Sequence, residues 1–389
     1  LRFMDEWTGE APKVRLLNPQ INSHGWESTS TIVAILCRDM PFCTASVRGE
    51  INQRNLGIHC LASCNLRALR DSEGVLQELV GTDERNDATS AESLLYFEIT
   101  RHSDLSDLDD LRDNLQQILN EVAVVVNDFD AMRERLDEVK TSIADAACVS
   151  ADFRDEATAF IEWLRSDHMT FLGYEYLWVE NGQASLDPGR SLGVLRQRDT
   201  RGAADLSHDL AWMAPEEFHR RQLSFGKSQQ RARVHRQAYP DYVEVKTYDA
   251  SGAVTGQHRF LGHYTAAVYN MDPADIPILR HKVSQVLELS GLSAEEHDAR
   301  ELKRVLELMP RDELFQSSTA DLFNTTSAVN RIQERRHTRL FVRKDAHSKF
   351  ISCLLYMPRD RYTTQRRVNI QRILSKAFAA EESEFNTQF

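Results

Sequence analysis

A long run of apolar residues at heptad spacing constrains this chain more than any other feature of its sequence. The run steps alternately by three and four residues through Leu108, Leu111, Leu115, Ile118, Val122, Val125, Phe129, Met132, Leu136 and Val139. Such spacing over about four heptads predicts one helix about 48 Å long. A helix of that length exceeds what one small sheet covers, so it is expected to form an assembly seam with another helix or subunit. The alternative is a long core helix within one chain, and the sequence leaves both open.

The segments before this helix predict one small α+β module. Apolar and β-branched runs predict strands at 14–17, 31–37, 58–70 and 93–100. A helix is predicted to begin at Thr44 and to stop near Gly57, and Gly74 supplies the positive φ that the turn at 71–74 needs. Residues 1–140 are therefore predicted as the first module, which carries the long helix.

Residues 151–336 predict a second domain of mixed α/β and helical character. Its predicted strands are 171–178 and the hairpin 242–248/257–264, which alternates as a hairpin with one face in water does. Its predicted helices are one around Phe160, one from Pro277 to about Gly291 and one that stops at Pro310. A polar linker is predicted from Glu180 to Ser207.

Residues 339–389 predict the start of a third small α+β domain. A hairpin turns around 345–348, a helix follows Thr363, and an alternating strand stops at 384–389 without a partner. The first residue is also not Met. We therefore expect the chain to be a fragment of a larger polypeptide.

The net charge of −12 is spread unevenly along the chain. Residues 331–376 carry 13 Lys and Arg against 3 Asp and Glu. Nucleic acid is one candidate partner for this basic stretch. Because no recognised binding module accompanies it and the rest of the chain is acidic, we expect instead that it docks against an acidic domain or subunit.

Cysteine usage and hydropathy favour a cytoplasmic protein. The six cysteines lie mostly in apolar runs and lack the paired C-x-x-C spacing of a zinc site, so we expect reduced, buried thiols and no metal. Apolar runs of about 18 residues are absent, so no membrane span is expected.

The motifs of self-contained catalysis and nucleotide binding are missing. The sequence has no G-x-G, no H-E-x-x-H and no G-x-S-x-G. Gly226-Lys227-Ser228 is similar to the end of a P-loop, but Arg221 stands where its first glycine belongs. We therefore expect no catalytic residue and no bound cofactor in this segment.

Histidines and arginines cluster near the hairpin and offer a candidate site for an anionic ligand. They are His235, His258, His263, Arg233, Arg236 and Arg259. The favoured alternative is a solvated strand face with one satisfied histidine. The carboxylate pair Glu216-Glu217 is interpreted as ordinary surface.

The first strand, turn and helix resemble the opening βα unit of an ACT domain. The strand at 31–37 runs into Asp39-Met40-Pro41-Phe42, and a helix opens directly behind this turn. In ACT domains this turn and the helix N-terminus form part of an effector pocket, where amide groups suit a carboxylate. The resemblance implies effector-binding residues Asp39, Met40, Pro41, Phe42 and Ser46.

A longer series of motifs, in order along the whole chain, resembles the N-terminal region of the large bacterial NAD-specific glutamate dehydrogenases. The motifs are Leu17-Asn18-Pro19-Gln20, His24-Gly25-Trp26-Glu27-Ser28-Thr29, Asp39-Met40-Pro41-Phe42, Phe171-Leu172-Gly173-Tyr174, His258-Arg259-Phe260-Leu261-Gly262, Pro310-Arg311-Asp312-Glu313-Leu314-Phe315-Gln316, Phe350-Ile351-Ser352-Cys353-Leu354, Tyr356-Met357-Pro358-Arg359-Asp360-Arg361-Tyr362 and Glu384-Phe385-Asn386-Thr387-Gln388-Phe389.

The resemblance implies an α+β fold of ferredoxin-like ACT-type modules with long helices and a mixed α/β middle domain. It also implies that the full-length enzyme converts L-glutamate and NAD to 2-oxoglutarate, ammonium and NADH in a C-terminal part. This segment would then regulate that part and support a homo-oligomer, with a tetramer favoured, and would respond to an amino-acid effector.

One departure from the family pattern bears on the effector. An aliphatic-acid pair is expected after Phe42, whereas this chain has Cys43-Thr44-Ala45. If that acid holds an effector's amino group, the function is absent here. The alternative is a purely structural ACT-like scaffold in which Met40 and Phe42 occupy the pocket themselves.

Overall fold

Five antiparallel strands form the first sheet of the structure, a computed structural model that describes residues 3–81, 88–180, 183–196, 222–293, 296–333, 337–345 and 349–388. The strands are β1 (Lys13–Leu17), β2 (Thr31–Arg38), β3 (Ile58–Arg70), β4 (Leu76–Val80) and β5 (Thr89–Ile99), and the helices among them are α1 (Ile21–His24) and α2 (Cys43–Gln53). The predicted end of α2 near Gly57 is wrong. The helix stops at Gln53 and Asn55 then takes a left-handed φ of 57°.

The strand order β1-β2-β5-β3-β4 makes a split β-α-β unit of β2, α2 and β3, because β5 lies between the two strands and is antiparallel to both. β1 pairs with the outer edge of β2. In a ferredoxin-like sheet this position belongs to the strand that follows the second helix. β2 is apolar from Ile32 to Cys37 because both faces are covered. Val33 and Ile35 join the main core, and Leu36 packs with Met4 and Trp7. The predicted α+β fold class is confirmed.

The heptad segment is two helices rather than one. α3 (Leu105–Asn127) ends and α4 (Phe129–Asp145) begins around Asp128, whose φ of −89° and ψ of 0° are not helical. The Asp128 carboxylate accepts the backbone N–H of Gly193 at 2.8 Å and the guanidinium of Arg196 at 2.8 Å. The prediction of one continuous helix is therefore wrong, and a tertiary anchor accompanies the break.

A second antiparallel sheet follows, with the order β7-β6-β10-β9-β8. Its strands are β6 (Met169–Glu180), β7 (Gln183–Gly193), β8 (Leu223–Lys227), β9 (Asp241–Tyr248) and β10 (Val254–Tyr264), and α5 (Ala151–Trp163) precedes them through a π-helical turn. β7 falls within the predicted polar linker, so that prediction is wrong for 183–193. The remainder of the linker from 197, with Glu216 and Glu217, lies outside the described residues.

The seam side chains lie in the core that this second sheet shares with the first. Leu115, Ile118, Val122, Met132, Leu136 and Val139 are 0% exposed, Leu111 and Val125 are 1% exposed and Leu108 is 7% exposed. Phe129 is half-buried against the same core. α3 contacts β1 and α2 of the first module and β6 and β7 of the second sheet, whereas α4 contacts α5 and the second sheet. Apart from the half-buried Phe129, the seam side chains are thus buried within this chain, as in the intrachain alternative.

A helical segment continues from the second sheet. Its helices are α6 (Ala266–Asn270), α7 (Leu279–Ser290), α8 (His297–Leu308), α9 (Arg311–Gln316) and α10 (Thr319–Gln333). α7 starts two residues after the predicted Pro277 and ends at Gly291, whose φ of 65° caps it as predicted. The stop of α8 before Pro310 is also confirmed. The sequence prediction missed α9 and α10.

The last part of the described chain is a hairpin of β11 (Arg339–Lys344) and β12 (Ile351–Tyr356), followed by α11 (Thr364–Phe378). Its predicted turn falls largely on 346–348, outside the described residues, and residues 384–388 form no strand, so the predicted final strand is wrong there. Arg343, from the basic stretch, pairs with Glu313 of α9 through two bonds of 2.8 and 2.7 Å. The basic stretch thus makes at least one acidic contact within the chain.

Candidate functional site

The turn between β2 and α2 holds the residues expected to bind an effector. The N–H of Asp39 donates to the carbonyl of Ala91 at 3.0 Å, and the Asp39 carboxylate lies 2.9 Å from the Ser93 hydroxyl. Phe42 caps α2 with a φ of 74°, a left-handed conformation that a bulky residue adopts only under constraint. The turn is therefore fixed at both ends by the sheet and the helix.

A segment from the second sheet, residues 228–240 between β8 and β9, covers this turn. The backbone N–H of His235 donates to the Ser46 hydroxyl at 2.9 Å, and the Phe42 and His235 rings lie 4.8 Å apart between centroids. A Cβ at Gly49 would lie only 3.0 Å from the side chain of Gln237, so the approach is tight. A junction, defined here by Phe42, Ser46 and His235, thus joins the two sheets.

The predicted effector residues do not all reach this junction. Phe42 and Ser46 contact the covering segment directly, and Met40 packs half-buried against the main core. Asp39 and Pro41 are exposed, and the Asp39 carboxylate points to Ser93 of β5. The structure therefore separates the predicted set into a buried part and an exposed part.

Behind the junction lie polar groups that the sequence did not join to the turn. His235 and His263 have ring centroids 5.9 Å apart, and the Arg236 guanidinium donates to the Tyr264 carbonyl at 3.0 Å. Burial lowers the pKa of His263 to about 3, with Arg236 adding to the effect, and burial likewise lowers the pKa of His235. His235 Nδ1, Arg236 Nε and His263 Nε2 find no hydrogen-bond partner among the described residues. These buried nitrogen atoms are hydrogen-bonding groups of the kind that pair with a carboxylate or an ordered water.

A half-buried lysine, Lys227, connects the second sheet to the helical segment beside this cluster. Lys227 Nζ lies 2.7 Å from Asp241 and 3.2 Å from Asp312 of α9. Burial raises the pKa of Asp241 to about 7 against the opposing effect of Lys227. The adjacent gap, lined in part by Phe225, Tyr264 and Phe315, is too small to hold a water molecule. This ion pair therefore reads as a structural link between β8, β9 and α9.

The histidines and arginines singled out in the sequence do not form one site. Arg259 is buried between Glu244 at 2.8 Å and Glu175 at 3.1 Å, and Arg233 pairs with Glu121 of α3 at 3.0 Å. His258 is 3% exposed and hydrogen-bonds the Tyr174 hydroxyl at 2.9 Å. The favoured alternative of a solvated face is also wrong, because the β9–β10 hairpin is buried on both faces. Only His235, His263 and Arg236 come together.

The cysteines are free, and they divide by exposure. Cys37 and Cys43 are buried, Cys353 is half-buried, and Cys60, Cys64 and Cys148 are exposed, so the prediction of buried thiols is wrong for the last three. Within the described ranges, His, Cys, Asp and Glu side chains form no group of three that could hold a metal ion. The helices in the described part of the chain are too short or too polar to cross a membrane.

Family models match three parts of the chain. Residues 1–115 match the glutamate dehydrogenase ACT1 domain, residues 276–335 match glutamate dehydrogenase helical motif 1, and residues 339–389 match the glutamate dehydrogenase ACT2 domain. The first match contains the β2–α2 turn, and the second contains α7 to α10.

Three curated relatives carry the name NAD-specific glutamate dehydrogenase. The relative from Halomonas elongata is 40% identical over 99% of this chain, and that from Pseudomonas aeruginosa is 38% identical over 100% of it. The relative from Mycobacterium tuberculosis is 28% identical over 80% of this chain. The chain spans 24% of the length of each of the first two and 19% of the third. In sequence, in its ACT-type modules and in its α+β fold, the chain belongs to the family of NAD-specific glutamate dehydrogenases.

Proposed function

We infer that this chain is the regulatory and assembly region of a cytoplasmic NAD-dependent glutamate dehydrogenase. The reaction, L-glutamate with NAD to 2-oxoglutarate, ammonium and NADH, is then performed by other parts of the same polypeptide. NAD belongs to that catalytic part. Two findings support this inference: the chain belongs to this family, and it spans only about a quarter of the length of its relatives.

The observation that carries the regulatory role is the junction at Ser46. The Ser46 hydroxyl, in the first turns of α2, accepts a backbone N–H from His235 of the second sheet. A ligand carboxylate at the start of α2 would bind the backbone N–H groups of the first turn, because a helix N-terminus favours negative charge, and it would lie close to the Ser46–His235 contact. Binding of an L-amino acid there would change the strength of the Ser46–His235 contact between the two sheets. The ligand could in this way change their relative positions.

The second candidate is a purely structural scaffold, and one contact favours it. The Phe42 ring packs on His235 at 4.8 Å between centroids, and Met40 packs against the main core. Side chains of the chain itself thus occupy space that an effector would use. In this scaffold the turn serves only to hold the first module against the second sheet.

Calorimetric titration of the chain with a panel of L-amino acids separates the two candidates. We expect saturable heat with at least one amino acid, and at least about tenfold weaker affinity in Ser46→Ala, since a hydrogen bond to a charged group is worth about 1.5–3 kcal/mol. Ser106→Ala removes an exposed serine at the start of α3 and is the matched control. Absence of heat with every amino acid, together with full-length kinetics insensitive to them, establishes the scaffold.

Assembly is tested separately by light scattering on the same chain. We propose a homo-oligomer, with a tetramer favoured, held by surfaces other than the heptad seam because that seam is internal. The expected mass is a small multiple of the 44.6 kDa chain. A strict monomer at high concentration would place any assembly contacts in the rest of the enzyme.

A further inference from the structure

The covering segment, residues 228–240, is closed at its base by an ion pair. Lys227, the last residue of β8, lies opposite Asp241, the first residue of β9, and its Nζ is 2.7 Å from the Asp241 carboxylate. Inside this pair the backbone N–H of Ser228 donates to the carbonyl of Pro240 at 2.9 Å, and a second backbone bond of 2.9 Å crosses the segment further out. The covering segment is therefore braced along its length, so a displacement of its base is passed on to its far end.

The far end of the covering segment contacts two helices of the first module. The backbone N–H of His235 donates to the Ser46 hydroxyl of α2 at 2.9 Å, and the Arg233 guanidinium lies 3.0 Å from the Glu121 carboxylate of α3. Val234, between the two, is 1% exposed and belongs to the main core. A displacement of the covering segment therefore changes contacts that hold the β2–α2 turn.

The base of the covering segment and the last hairpin are both held by α9. Lys227 Nζ lies 3.2 Å from the carboxylate of Asp312. The next residue, Glu313, is 6% exposed and accepts two bonds of 2.8 and 2.7 Å from the Arg343 guanidinium of β11. Because α9 is a helix of only six residues, Asp312 and Glu313 move together.

We propose that α9 and the covering segment couple the β2–α2 turn to the last hairpin, so that the position of one biases the position of the other. Three contacts in series form this route: Arg343 with Glu313, Asp312 with Lys227, and His235 with Ser46. The route connects the parts of the chain that match the ACT1 and ACT2 family models. It rests on the proposed function only in taking the turn as the effector site, and coupling between two sites is reciprocal.

Burial explains why the loss of one contact reaches the next. Without Arg343 the carboxylate of Glu313 would remain buried without its cationic partner, which is strongly destabilising. α9 would shift to bring this carboxylate to water, and Asp312 would move with it relative to Lys227. The base of the covering segment would then lose one of its two carboxylate partners, and its far end would be held less firmly on α2.

Hydrogen–deuterium exchange of the unliganded chain, read by mass spectrometry, tests the route because exchange reports local opening. In Arg343→Gln we expect the amides of α2 and of the covering segment to exchange at least about fivefold faster than in the wild type. The matched control is Arg280→Gln, which removes an arginine 2.7 Å from Glu156 and lies outside the route. In this control both regions should exchange at wild-type rates.

A second substitution tests the middle of the route. Asp312→Asn removes the charge that Lys227 faces on α9 and leaves the Glu313–Arg343 pair in place. Added to Asp312→Asn, the change Arg343→Gln should accelerate exchange in α2 by less than about twofold, because coupled substitutions are not additive. It should still accelerate exchange in β11, whose contact with α9 is lost in both backgrounds.

Faster exchange confined to β11, β12 and α9 in Arg343→Gln would overturn the proposal. So would an equal increase in α7, since a general loss of stability needs no route. Arg343→Lys keeps the charge but cannot make both bonds, so it should give a smaller increase in the same regions if Arg343→Gln folds poorly. These measurements contain no amino acid, so their outcome is independent of whether the turn binds an effector.

Discussion

Two buried histidines should make the folded chain sensitive to acid well above the range where carboxylates titrate. His258 and His263 are 3% and 1% exposed, and burial is the first cause that lowers the pKa of each from 6.5 to about 3. Between pH 6.5 and 3 both imidazoles therefore bind a proton in the unfolded chain but not in the folded chain. The resulting stability is present above pH 6.5 and is lost as the pH falls below it.

The size of the loss follows from the cited values. About pH 5 is about 1.5 units below the pKa of each imidazole in the unfolded chain. At about 1.4 kcal/mol per unit, each imidazole therefore lowers the free energy of unfolding by about 2 kcal/mol at this pH. The free energy of unfolding of the double variant His258→Gln/His263→Gln should therefore fall by about 4 kcal/mol less than that of the wild type between about pH 7.5 and pH 5. Asp241, with its pKa raised to about 7, gains stability as the pH falls, but this contribution is common to both proteins and cancels in the difference.

Urea denaturation followed by circular dichroism at a series of pH values measures this difference. The matched control is His297→Gln, because the His297 side chain is 80% exposed. Its stability curve should remain parallel to that of the wild type. If the double variant also runs parallel to the wild type, the two imidazoles are not held neutral in the fold and the reasoning from burial is refuted.

Three further substitutions test the packing. Arg70→Met should cost about 3–5 kcal/mol in urea denaturation, because Arg70 makes two bonds of 2.6 and 2.8 Å to Glu92, which is 0% exposed. Gly74→Ala should cost more than Gly9→Ala: both positions have positive φ, but only at Gly74 would a Cβ lie 2.6 Å from a backbone oxygen. Leu115→Ala should cost about 2–5 kcal/mol at every protein concentration, whereas a concentration-dependent loss would indicate that the seam contacts a second subunit.

Local signals in the sequence predicted the elements whose ends are set locally. Gly74 and Gly291 both take positive φ where a turn and a helix end were expected, and the apolar run of β2 forms a strand covered on both faces. The break at Asp128 could not be predicted in this way. Its carboxylate is bound by Gly193, which is 65 residues away in sequence, and the heptad pattern continues across it.

The sequence alone could predict one part of the candidate site, the β2–α2 turn, but not the residue that packs on it. The β2–α2 turn is a local motif, and the resemblance to an ACT domain named Phe42 and Ser46, which both contact His235. Their partner His235 is 189 residues from Ser46, and it was grouped with His258 because the two are close in sequence. In the folded chain those histidines point into different surroundings, one toward α2 and one toward Tyr174. The sequence held no signal for that separation.

The helix α3 belongs to two sheets at once, and this has a consequence for cooperativity. It packs on β1 and α2 and also on β6 and β7, within one continuous core. The ACT1 match ends at residue 115, before Ile118, Val122 and Val125, which are all buried. A fragment that ends at residue 115 would lack the later turns of α3, and the second sheet would lose a helix that packs against it. The two sheets should therefore melt as one unit, although sequence families divide them.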